Sequence, residues 1–133
     1  VLHGKNLLAE DDKFLSRAYK DGLEEAGFEV VIAFDGEATL EKIRSEKPDL
    51  VLLDLIMPIK NGFEVLGEMA IDDILKKIPV IIFSNLSQES DMERGKALGA
   101  VDYLVKADYS LRAVVEKVNE YLARAKRQKN IKI

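Results

Sequence analysis

Short apolar runs and longer mixed stretches take turns along this chain. The runs cover Asn6 to Ala9, Val30 to Phe34, Leu50 to Asp54, Val80 to Ser84 and Tyr103 to Val105, and several are almost pure Val, Ile and Leu. A strand buried on both faces reads this way, because neither side of its pleat meets water. Helix candidates lie between the runs, near Lys13 to Ala26, Glu37 to Glu46, Gly62 to Leu75, Glu89 to Leu98 and Leu111 to Lys126. Gly27 and Gly99 stand where helices should end, Asp12 and Ser110 where they should begin, and Pro48 and Pro79 just ahead of strands. Glycine accepts the left-handed turn that closes a helix, and short oxygen side chains bond the free amides that open one. Strand–helix alternation with short loops predicts an α/β domain, a parallel sheet covered by helices. A length of 133 residues with 47% apolar content suits one compact domain.

Charge collects where the runs stop. Glu10-Asp11-Asp12 follows Leu7-Leu8-Ala9, and Asp54 follows Leu50-Val51-Leu52-Leu53. In an open α/β sheet, functional loops gather at the carboxyl ends of strands, around the point where strand order reverses. With the order 2-1-3-4-5, strands one and three are neighbours at that reversal, and Asp11 comes beside Asp54. The same edge collects Ser84 and Lys106. Crowded carboxylates shift each other's titration and either share a proton or hold a hard, oxygen-loving cation such as Mg²⁺. The metal is the favoured reading.

Composition removes several alternatives. There is no cysteine, so neither a disulfide framework nor a thiolate zinc site can form. Every apolar run is far shorter than the roughly 20 residues of a membrane span, and no signal-peptide core is visible at the start. A soluble, cytoplasmic protein with no membrane contact is expected. The formal charge of −4 argues against general nucleic-acid affinity. Arg124, Lys126, Arg127, Lys129 and Lys132 crowd the end, but positive charge at a helix C-terminus also complements the helix dipole, and a solvated helix end is the expectation there. His3 is assigned no role.

The chain resembles a bacterial response-regulator receiver domain of the chemotaxis-regulator type. The residues that carry the resemblance are Glu10-Asp11-Asp12, Leu53-Asp54-Leu55-Ile56-Met57-Pro58 with Asn61-Gly62, then Ser84, and Asp102-Tyr103-Leu104-Val105-Lys106. It spans about Lys5 to Leu122. The resemblance implies a flavodoxin-like, five-stranded parallel sheet in the order 2-1-3-4-5, a receiver domain over 1–123, and a basic helix end or tail over 124–133. It implies that Asp54 is the phosphoacceptor, and that Glu10, Asp11, Asp54 and the Ile56 carbonyl hold Mg²⁺, for which Mn²⁺ can substitute. Ser84 would bond the phosphoryl group, Lys106 would be its charge partner, and Tyr103 would report the switch to a surface of helix four, strand five and helix five. The implied partners are a sensor histidine kinase or histidine phosphotransfer protein, a downstream protein, and a second copy in a phosphorylation-dependent homodimer. The chain would be no enzyme beyond its own phosphotransfer and dephosphorylation, and either a single-domain regulator or a receiver cut from a longer protein.

Departures from the family pattern carry expectations of their own. Glu10 stands in place of the commoner aspartate, and its longer arm is expected to reach a metal through water. Ala107 replaces a proline after Lys106; a cis bond before a non-proline residue costs about 2.5–4 kcal/mol, so this peptide should be trans, with Lys106 still reaching Asp54. Ile56 and Leu86, two residues after Asp54 and Ser84, cannot orient a hydrolytic water, which implies a long-lived phosphoaspartate. A haloacid-dehalogenase-type phosphatase would need an acid where Ile56 stands. A nucleotide site would not place Glu10-Asp11-Asp12 against a bare phosphate. The surviving alternative is a docking module that works without phosphorylation, which would normally have lost Asp54 or Lys106.

Overall fold

The computed structural model describes residues 4–131, so His3 and Lys132 lie outside the described residues. Strands β1 (Lys5–Ala9), β2 (Glu29–Ala33), β3 (Leu50–Leu53), β4 (Val80–Ser84) and β5 (Asp102–Val105) alternate with helices α1 (Lys13–Glu25), α2 (Gly36–Glu46), α3 (Gly62–Ala70), α4 (Glu89–Ala97) and α5 (Leu111–Ile131). All pairings are parallel, as the alternation predicted, and the order β2-β1-β3-β4-β5 is the one the family resemblance implied.

The pleat sends alternate residues to opposite faces, and both faces are covered. Leu7, Val51, Leu53 and Ile82 join Leu40 and Ile43 of α2 and Val65, Leu66 and Met69 of α3 in one apolar layer. Leu8, Leu50, Leu52, Ile81 and Phe83 join Leu23 of α1 and Val114, Val118 and Leu122 of α5 in the other. This arrangement explains the near-continuous apolar runs, and it leaves polar function only to the strand ends. The register pairs Ala9 with Leu53, Leu53 with Ile82, and Ser84 with Val105, so the carboxyl ends of four strands finish along one edge.

Boundaries follow the punctuation. The Asp12 carboxylate accepts the Phe14 and Leu15 amides at the start of α1, and the Ser110 hydroxyl accepts the Ala113 amide at the start of α5. Gly27 and Gly99 follow α1 and α4 at φ 102° and 107°. Helix α3 is shorter than its apolar pattern predicts, ending at Ala70 rather than Leu75. The Asp72 carboxylate accepts the Ile74 and Leu75 amides at 2.9 and 3.0 Å, and a separate 3-10 turn forms over Leu75–Lys77. A side chain that bonds its own local backbone offers those amides an alternative to the helical ladder. Helix α5 runs without a break past position 123 to Ile131, beyond the Lys126 limit read from the sequence.

The loop after β3 carries a strained turn. Ile59 sits at φ 71°, where β-branched residues are rare, and the Lys60 amide donates to the Pro58 carbonyl at 2.8 Å across it, as in a three-residue γ-turn. The same carbonyl accepts the Gly36 amide at 3.3 Å, tying this loop to the start of α2. At Gly62 a Cβ would lie 2.5 Å from the Asp54 carbonyl oxygen, so α3 can begin this close to the strand end only with glycine there.

Candidate phosphoacceptor and metal site

Asp54 is the first residue past β3, and its amide donates to the Ala9 carbonyl, which fixes it beside the end of β1. Its carboxylate is buried and fully engaged. Oδ1 accepts the Ile56 amide at 3.2 Å, and Oδ2 accepts the Lys106 ammonium at 2.8 Å. Lys106 comes from the far side of the sheet, 52 positions along the chain, and also bonds Glu10 Oε1. Oε2 of Glu10 accepts the Asp12 amide at 3.1 Å. No described peptide bond is cis, so Lys106–Ala107 is trans; a 3-10 turn over Lys106–Asp108 accommodates the alanine, and the lysine still reaches Asp54.

The three acids after β1 part company. Glu10 is only 2% exposed, Asp11 is exposed, and Asp12 serves as the α1 cap. One carboxylate oxygen each from Glu10, Asp11 and Asp54 lie within 4.8 Å of one another. Three hard oxygen donors at that spacing, open to solvent through Asp11, match the chemistry of a divalent cation such as Mg²⁺. Burial is the largest influence on Glu10 and pushes its carboxyl above the usual range, against the pull of Lys106 and the Asp12 amide. Burial also acts most strongly on Lys106 and favours its neutral form, but its bonds to Asp54 and Glu10 outweigh that and leave its pKa raised. The ammonium is therefore held charged by its two acid partners.

Beside this centre, one peptide joins the two switch candidates. Ser84 is fully buried, and its Oγ accepts the Leu86 amide at 3.3 Å; the Tyr103 hydroxyl donates to the Leu86 carbonyl at 2.5 Å. The Tyr103 ring lies inside the apolar layer, 8% exposed. Burial raises the phenol's pKa, keeping it a donor. Leu86 is partly buried against the same layer, whereas Ile56 is 57% exposed at the mouth of the site.

Two neighbours of Lys106 went unread in the sequence. Its ammonium lies 5.7 Å from the centre of the Phe83 ring, and Tyr19 of α1 packs edge-to-face on that ring with centroids 4.9 Å apart. The available signal was the alternation of β4, which puts Phe83 and Ser84 on opposite faces, together with an aromatic in the second turn of α1.

Comparison with known proteins agrees with this geometry. The response regulator receiver domain family matches residues 7–119. The transcriptional regulatory protein CpxR of Escherichia coli is 37% identical over 121 residues, covering 91% of this chain and 50% of CpxR. The chain thus spans about half the length of the curated relatives it matches. Among solved structures, the phosphorylated cyanobacterial phytochrome response regulator RcpA is 33% identical with a TM-score of 0.80, covering 92% of this chain and 95% of that one. A response regulator solved in its Mn(2+)-bound form is 32% identical with a TM-score of 0.75, covering 86% of this chain and 88% of its own.

Proposed function

The chain belongs to the response regulator receiver domain family, and we propose that within it Asp54 is the phosphoacceptor of a two-component switch. Receiver domains are signalling switches, and response regulators act between sensor kinases and downstream effectors. The observation that carries the assignment is the meeting of Asp54, Glu10 and Lys106 from three strand ends, with Asp11 completing a cation-ready set of oxygens.

An Asp54 oxygen attacks the phosphorus of a phosphohistidine on a kinase or phosphotransfer protein. An O–P bond forms as the N–P bond breaks, and its electron pair returns to the imidazole. The ammonium of Lys106, charged and at hydrogen-bond distance, is placed to pair with the anionic phosphoryl oxygens. Mg²⁺, or Mn²⁺, when held by Glu10, Asp11, Asp54 and the Ile56 carbonyl, supplies further neutralisation of that charge. Glu10, whose longer arm is already tied to the Asp12 amide and the Lys106 ammonium, would help hold the cation through water.

Ser84 can donate its hydroxyl to the phosphoryl group while still accepting from Leu86, so a pull on Ser84 is transmitted through the Leu86 peptide to Tyr103. The surface of α4, β5 and α5 reads out that shift, for a downstream protein or a second copy. Loss of the phosphoryl group needs water in line with the O–P bond, and Ile56 and Leu86 give that water nothing to bond. A long phosphoaspartate lifetime follows. Among the described residues no helix is long and apolar enough to cross a membrane, which accords with a cytoplasmic site of action. Retention of the Asp54–Lys106 contact weighs against a docking module indifferent to phosphorylation.

Intact-mass analysis with a small acyl-phosphate donor tests the assignment. One phosphoryl group should be added with Mg²⁺ present, and none with chelator or in Asp54→Asn. Equal labelling of that variant would remove Asp54 from the role.

A further inference from the structure

We propose that the Tyr19–Phe83 ring pair positions Lys106, with the face of Phe83 acting as a neutral partner that keeps the ammonium in the reaction centre. This rests on the phosphoacceptor reading above. The Lys106 side chain is 10% exposed, so its charge has lost most of its water and must be compensated by what surrounds it. Two of its partners are the Glu10 and Asp54 carboxylates. Those carboxylates are also the oxygens offered to a divalent cation, which would draw on the same negative charge and repel the ammonium. Phe83 offers something the cation does not compete for. Its ring centre is 5.7 Å from Nζ, within the range where the negative face of an aromatic attracts a cation, and that attraction grows as water is removed. An aliphatic side chain would seal the site equally well and attract nothing.

Tyr19 fixes the plane of that face. It packs on Phe83 at 89° with centroids 4.9 Å apart, the edge-to-face geometry that aromatic pairs prefer. Because Phe83 is 2% exposed in the layer beneath α1 and α5, it cannot turn without disturbing Tyr19. The consequence is a chain of contacts running from α1 through β4 to the lysine, made by the edge of one ring and the face of another.

Replacing Phe83 with phenylalanines carrying one, two and three fluorines withdraws charge from the ring face while nearly preserving its shape. Two readouts are taken on the full chain: the ring-current shift of the Lys106 ε-methylene protons by NMR with and without Mg²⁺, and the rate of phosphoryl uptake from a small acyl phosphate. The methylene protons should lose their upfield shift progressively along the series, most in the presence of Mg²⁺, and uptake should slow by about three- to tenfold at three fluorines. Tyr19→Leu should reduce the shift in the same direction in protein that remains folded. A flat rate and an unchanged shift across the series would overturn the proposal, leaving Phe83 as packing alone. Absence of phosphoryl uptake in the wild type would instead defeat the phosphoacceptor reading, and the NMR series would still decide whether the ring holds the lysine.

Discussion

Asn6 gives the sharpest test of the packing account. It lies in β1, fully buried, with Val30 and Leu50 as its register partners on the neighbouring strands, and neither its Nδ2 nor its Oδ1 has a hydrogen-bond partner. An amide has two donors and one acceptor, and a buried polar group without a partner costs about 1–3 kcal/mol. Asn6→Leu removes that cost at similar volume and adds apolar surface to a layer already built from Leu8, Leu50 and Leu122. Leucine's branching against close neighbours returns up to about 1 kcal/mol as crowding. The net expectation is a gain of about 1–2 kcal/mol, which for a domain of this size raises the melting temperature by roughly 3–8 °C. Urea unfolding followed by circular dichroism measures it, as a higher midpoint at unchanged slope. A midpoint equal to or below that of the wild type would mean that the buried Asn6 amide costs the fold nothing.

Three further outcomes are expected. Ile59→Gly should stabilise the fold by about 1 kcal/mol, measured by the same unfolding curves, because φ 71° suits glycine and the isoleucine is 70% exposed, with little burial to lose. Lys106→Met should slow phosphoryl uptake by about 10²–10³-fold in a time course of intact mass, the usual effect of deleting one preorganised charge-stabilising group. The Ile56→Asn, Leu86→Glu double variant should lose its phosphoryl group about 10²-fold faster than wild type, at the low end of what one water-orienting contact contributes; equal rates would remove both residues from any part in hydrolysis.

What could be read from the sequence was whatever the pleat and the strand ends enforce. Leu50–Leu53 and residues 80–83 are apolar throughout because helices cover both faces of the sheet, and Asp54, Ser84 and Lys106 converge because parallel strands finish at one edge. Helix α3 misled because Ile71, Ile74 and Leu75 prolong the apolar pattern while the Asp72 carboxylate captures the amides that would have continued the helix. Ile71 and Ile74 are in fact 86% and 76% exposed. Within Glu10-Asp11-Asp12 the division of labour was legible too: Asp12 caps α1, as its place ahead of the helix predicted, and leaves Glu10 and Asp11 to the site. The Leu86 peptide between Ser84 and Tyr103 was invisible for another reason, and the ring beneath Lys106 left only the alternation of β4 as a sign. Backbone orientation and side-chain stacking across strands leave no periodic trace in one sequence.

Chemical trapping tests most directly whether Asp54 carries the phosphoryl group. Borohydride converts a phosphoaspartate to homoserine, so trapping the Mg²⁺-dependent product and sequencing its peptides by mass spectrometry locates the group directly. Homoserine should form at position 54 and nowhere else. Homoserine at Asp11 or at any other acid, with position 54 unchanged, would take the phosphoacceptor role away from Asp54.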